Sequence, residues 1–166
     1  MPGTLDVRIV QLVHARARCV RVCGACYPGA AVVGTQIGQY QIERELGHGG
    51  FGVVYVGVDL RLGRRAAIKR LLPELSGNHE IVERFFNEAK SAANINHPGI
   101  VAVYDRGTAD GVAYIAMEYV RGESLKQRLR RDGALPPDEA VGIALAVLSA
   151  LGAAHARAIV HRDVTS

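Results

Sequence analysis

The chain has 166 residues and a mass of 17.8 kDa, room for one domain and too little for two comfortable ones. Apolar residues make up 49% and charged residues 22%, which excludes wholesale disorder, and 19 glycines without a period exclude a collagen-like or solenoid chain. The net charge of +4 is uneven: Arg8, Arg16, Arg18 and Arg21 against Asp6 leave +3 in residues 1–34, and residues 35–166 carry only +1. No broad phosphate-binding face, and no nucleic-acid partner, is therefore expected.

Residues 1–34 carry little secondary-structure signal and close on Gly29-Ala30-Ala31-Val32-Val33-Gly34, a linker composition. Cys19, Cys23 and Cys26 form an odd, clustered trio, which suits a reducing compartment better than a disulfide scaffold and predicts a cytoplasmic chain. Cys23 and Cys26 make a C-x-x-C. With His14 as a fourth ligand they could close a zinc site, but the spacing fits no ribbon or knuckle well, and a thiol-bearing extension fits it better. The apolar run Ile9–Val13 is short, interrupted and followed rather than preceded by arginines, unlike a signal peptide.

From Tyr40 the pattern changes. Tyr40–Leu46 partly alternates, a glycine cluster follows, and Val53–Val58 is β-branched, which predicts two strands joined by a glycine-rich turn. Leu62-Gly63-Arg64 predicts the next turn and Ala66–Leu71 a third strand. Beyond Pro73 and Gly77, a helix is predicted over 80–94. Its residues Ile81, Val82, Phe85, Phe86, Ala89, Ala92 and Ala93 make one apolar stripe, and His97-Pro98-Gly99 ends it. Ile100–Tyr104 and Val112–Val120 predict two more strands, with Asp110-Gly111 as the hairpin turn.

Leu125 and Leu129 mark a short basic helix. Pro136-Pro137-Asp138-Glu139 opens a long one reaching about Ala158, with prolines first and acids in the first turn, where the helix dipole favours them. Its uncharged stretch, Ala140–Ala154, falls short of the ~20 residues that span a bilayer and predicts a core helix, so no membrane segment is expected. The class is α+β: five strands with one inserted helix, followed by helices. The expected divisions are 1–39 (cysteine-bearing extension and linker), 40–120 (sheet lobe) and 121–166 (start of a helical lobe).

Gly47-His48-Gly49-Gly50-Phe51-Gly52 is a G-x-G-x-x-G. A dinucleotide fingerprint needs a helix after it, whereas here a strand follows, so the glycines sit at a hairpin tip. Such a tip either brings backbone N–H groups close to phosphates or is an ordinary turn. Lys69 lies 22 residues after Gly47, one of only three lysines beside 17 arginines, and Glu88 sits mid-helix 19 residues later. Taken singly, each reads as a solvated charge. His161-Arg162-Asp163 means nothing as a bare tripeptide.

The order is what carries information. Glycine-rich hairpin, A-x-K on the next strand, Glu on the next helix, two strands, a long helix and then H-R-D form the protein-kinase signature set. From Tyr40 to Ser166 the chain resembles bacterial serine/threonine protein kinases of the eukaryotic type, with supporting wording in GHGGFGVVY (47–55), HPGIVAVYD (97–105), MEYV (117–120) and GESL (122–125).

The resemblance implies a five-stranded antiparallel N-lobe sheet with one helix, leading into an incomplete helical C-lobe. It implies ATP-dependent phosphoryl transfer to hydroxyls of a protein substrate, with Mg²⁺. Gly47, Gly49 and Gly52 would cover the phosphates, and Leu46, Val54 and Ala67 would roof the adenine. Met117 would be the gatekeeper and the Glu118–Val120 backbone the hinge. Lys69 would hold the α/β-phosphates and pair with Glu88. Asp163 would accept the hydroxyl proton, with His161 and Arg162 orienting its loop.

Thr165 departs from the family pattern, standing where a lysine is usual. The metal-binding Asn and D-F-G would fall beyond Ser166, so no metal ligand is expected within the chain. By itself the chain is expected to bind nucleotide at best weakly and to transfer no phosphate. The competing reading is a non-catalytic half-kinase module that docks on a partner. A small-molecule phosphotransferase fits H-R-D and GESL less well.

Overall fold

The computed structural model describes residues 32–159. His161, Arg162, Asp163, Thr165 and the three cysteines lie outside the described residues. Of those described, 32–93 and 102–119 form one compact unit, and 94–101 with 120–159 a second.

The first unit is a curled antiparallel sheet and a helix. Its strands are β1 (Gln36–Ile37), β2 (Tyr40–His48), β3 (Gly52–Asp59), β4 (Arg65–Leu71), β5 (Val103–Ala109) and β6 (Val112–Glu118), in the order β1-β2-β3-β4-β6-β5. Helix α1 (His79–Ala93) crosses between β4 and β5. Direct cross-strand partners share a face, so Gly47–Val54–Lys69–Ile115 and Val56–Ala67–Met117 line one side and Tyr55–Ile68–Ala116 the other. The second side closes over Ile37, Tyr40, Ile42 and Tyr114, with the Tyr40 and Tyr114 rings edge-on at 6.2 Å. On the first side, Leu71, Val112, Ala113 and Ile115 pack on Phe85 and Ala89, the stripe predicted for α1.

Turn chemistry fixes the register. Asp110 (φ 51°) and Gly111 (φ 74°) both take the left-handed conformation that a two-residue I′ hairpin needs. At the β3–β4 turn, the Asp59 carboxylate is buried yet satisfied, accepting from Arg61 N at 2.9 Å, Leu62 N at 3.2 Å and Gln39 Nε2 at 3.1 Å.

Two strand expectations change. The sheet gains β1, whose Ile37 is buried in the core against Tyr40, a signal too short to read in a segment of linker composition. The strand expected over Ile100–Tyr104 starts instead at Val103 and runs to Ala109. Ile95 and Ile100 find their apolar partners on a helix of the second unit and not in the sheet.

That second unit holds α2 (Leu125–Asp132) and α3 (Pro137–His155). Ser124 and Gln127 cap α2 reciprocally: Ser124 Oγ accepts from Gln127 N at 3.2 Å, and Ser124 N donates to Gln127 Oε1 at 2.8 Å. Arg128 ties α2 to α3 through a two-pronged pair with Glu139, its second contact at 2.9 Å. Residues 94–101 lie on α3, with Ile95 and Ile100 against Ala150 and Ala154. His97 Nδ1 accepts from Gly99 N at 3.0 Å, leaving Nε2 to donate to Ser149 Oγ at 3.1 Å, and Arg157 donates to the Asn94 carbonyl.

Over its 19 residues α3 is long and apolar enough to span a bilayer, which its shorter uncharged stretch is not. It nevertheless buries Ile143, Ala150 and Ala154 within protein, and exposes Val141, Leu145 and Leu148 as a second apolar stripe.

Candidate active site

The glycine loop is the β2–β3 hairpin, closed by His48 opposite Val53 and by Gly49 N donating to Gly52 O at 2.9 Å. Its glycines differ in kind. A Cβ on Gly52 would run into the carbonyl oxygen of Arg70 on β4, so this glycine lets two backbones approach. A Cβ on Gly47 or Gly49 would meet nothing within 4 Å among the described residues, so packing among them does not explain why those positions are bare. Open backbone there suits an anion lying against the loop.

Lys69 stands on β4 with Val54 and Ile115 as its strand partners, and it is 5% exposed. Burial pushes its ammonium down to about 8, with the Glu88 carboxylate pulling the other way. Glu88 on α1 is pushed up by burial against the attraction of Lys69 and then Arg84. Its Oε2 is buried without a hydrogen-bond partner among the described residues. Both members of the pair are thus biased towards their neutral forms, because each loses more hydration than the other restores. A phosphate brought to Lys69 would favour its charged form, and a buried ammonium beside an open glycine backbone fits such a group.

Of the remaining sequence-predicted positions, Leu46, Val54, Ala67, Met117 and Glu118 belong to the sheet unit. Ala67 is directly opposite Met117, both are buried, and Val54 is half-buried on the same face. Leu46 lies at the register shift between Glu45 and Gly47 and is exposed. Glu118 N donates to the Ala102 carbonyl at 2.8 Å, so a base would have to meet other backbone groups of 118–120. Val120 is half-buried and belongs to the second unit. Among the described residues no group of three His, Cys, Asp or Glu side chains could hold a metal ion.

Two neighbours, Arg84 and Phe85, were not singled out as site residues from sequence. A cavity of about 100 Å³ lies between Phe51 at the loop tip, Leu71 on β4, and Ile81, Arg84, Phe85 and Glu88 on α1. The Lys69 Nζ stands over the Phe85 ring, 5.7 Å from its centroid. Spacing holds the available signal: Arg84 and Phe85 precede Glu88 by four and three residues, and such residues share a helix face.

The chain matches the protein kinase domain family over residues 40–166. It is 43% identical to the serine/threonine-protein kinase PrkC of Bacillus subtilis over 134 residues, covering 80% of this chain and 21% of that protein. It is also 43% identical to the serine/threonine-protein kinase PknA of Mycobacterium tuberculosis over 135 residues, covering 78% of this chain and 31% of that one. The solved kinase domain of Mycobacterium tuberculosis PknI superposes with a TM-score of 0.67 at 38% identity, covering 80% of this chain and 55% of that domain. The chain therefore spans about half of a solved kinase domain and under a third of these longer relatives. Glycine hairpin, strand lysine and helix glutamate occupy one sheet face and the helix packed on it, and with residues 40–166 matched, the chain belongs to the protein kinase family, as the N-terminal portion of its catalytic domain.

Proposed function

We propose that this chain is the ATP-site portion of a serine/threonine protein kinase, transferring the γ-phosphoryl group of ATP to a hydroxyl of a protein substrate. The observation that carries the reading is Lys69, a buried cation at the middle of the sheet, facing the Glu88 helix and one strand from the open glycine hairpin. A cation kept in so dry a place stabilises little by itself, and gains most when a phosphate arrives.

In this reading the backbone at Gly47, Gly49 and Gly52 lies over the phosphates. Lys69, steadied by Glu88, neutralises charge on the α- and β-phosphates. Leu46, Val54 and Ala67 cover the base, Met117 limits the depth of its pocket, and the 118–120 backbone orients it. Asp163 takes the proton of the attacking hydroxyl as the new O–P bond forms and the bond to the β-phosphate oxygen breaks, with His161 and Arg162 holding its loop. Protein kinases use Mg²⁺, which screens the β- and γ-phosphate charge when bound. Catalysis of this kind rests on positioning and charge neutralisation more than on covalent help.

The test is nucleotide binding by the purified chain, followed by the change in melting temperature with ATP concentration. Lys69→Met should weaken the response about tenfold, the order expected from losing one charge-assisted contact in a dry site. Asp163→Asn should leave it intact. A response that ignores Lys69 refutes the assignment.

A further inference from the structure

We propose that Phe85 is a positioning residue for Lys69, presenting its ring face to the ammonium and fixing where that charge sits before any nucleotide binds. Phe85 is 3% exposed, wedged in the core between α1 and the sheet with Leu71 and Ile115. That packing holds the ring in place, and Lys69 Nζ lies 5.7 Å from the centroid, inside the range in which a ring quadrupole attracts a cation. Desolvation on both sides strengthens that attraction relative to an exposed pair.

The arrangement also gives α1 two ways of acting on one lysine. Glu88 acts through its charge and Phe85, one turn earlier, through its ring, so a shift or rotation of α1 would alter both together. Among the described residues, the charged groups lining the neighbouring cavity are Glu80, Arg84 and Glu88, all on α1. Arg84 acts on Glu88, and the Phe85 ring is an apolar group over which the ammonium itself stands. From sequence, Phe85 reads only as one of seven apolar residues on the stripe. The contact with Lys69 adds a role that packing alone does not require.

The inference rests on Lys69 being the phosphate-binding lysine only for its functional consequence, so the test does not use nucleotide. The chain has three lysines, Lys69, Lys90 and Lys126, so lysine labelled at Cε gives three resolvable NMR titrations. In the intact chain Lys69 should titrate near 8. Replacing Phe85 site-specifically with 3,4,5-trifluorophenylalanine, which keeps shape but cancels the ring quadrupole, should lower that midpoint by roughly half a unit or more. Phe85→Leu should do the same, and 4-methylphenylalanine should restore it. An unchanged Lys69 midpoint in the folded trifluoro variant overturns the proposal. If Phe85→Leu fails to fold, the near-isosteric variant still decides. Because no nucleotide is used, an unmoved midpoint refutes the role of Phe85 and leaves the kinase reading intact.

Discussion

Replacing Lys69 by methionine should stabilise the fold while weakening nucleotide binding. The lysine sits at about 8 against an ordinary 10.5, chiefly because burial strips its hydration. That gap corresponds to about 3 kcal/mol of destabilisation at neutral pH, where the side chain is charged in both folded and unfolded chains. Methionine keeps the length and the apolar stem and removes the charge.

Part of the gain is returned, because Glu88 loses its principal cation and rises further. A net gain of about 1–2 kcal/mol at pH 7 is expected. The sign with pH follows from proton counting. Between about 8 and 10.5 the unfolded chain holds the Lys69 proton that the folded chain has released, so wild-type stability climbs with pH there. The advantage of Lys69→Met should therefore be full below pH 8 and shrink towards pH 10. Urea unfolding of both proteins at pH 7 and pH 9.5 measures this. A variant less stable than wild type at pH 7, or a difference that does not change with pH, refutes the electrostatic account.

The two kinds of glycine in the loop should separate in the same assay. Gly52→Ala should lose about 1–3 kcal/mol by forcing β3 from the Arg70 carbonyl, whereas Gly49→Ala should stay within about 0.5 kcal/mol and weaken only ATP binding. Equal stability losses would refute the distinction. Asp59→Ala strands the Arg61 and Leu62 N–H groups that its carboxylate accepts from, and should lower urea-measured stability by about 1–3 kcal/mol. Ala158 takes a left-handed conformation (φ 58°) just past α3, where Ala158 N bonds His155 O and Ile159 N bonds Ala154 O. Ala158→Gly should raise thermal stability by about 0.5–1 kcal/mol, since only the Cβ makes that conformation costly, and a loss would show that the turn is not strained.

Local chemistry was legible in the sequence wherever the chain's own geometry dictates the outcome. Asp110-Gly111 specifies its hairpin because few other pairs tolerate two positive φ angles. The α1 stripe specifies which side of that helix meets the sheet, and the spacing from glycine hairpin through Lys69 and Glu88 to H-R-D specifies the family. Pro137, Asp138 and Glu139 mark the start of α3 as clearly.

What sequence could not supply depends on neighbours distant along the chain. Ile100 and Val101 have the composition of a strand, but Ile100 is satisfied by α3, some fifty residues later. Ile37 joins the sheet because Tyr40 and the core behind it are there to receive it. Gly49 and Gly52 are alike on paper, and only the carbonyl of Arg70 makes one of them obligatory for packing. Lys69 and Glu88 each read singly as a surface charge, and their perturbed ionisation exists only because sheet and helix exclude water around them. Pattern and order set which elements form and what chemistry they carry. Burial, close approach and electrostatics are set by through-space contacts, which only the assembled structure creates.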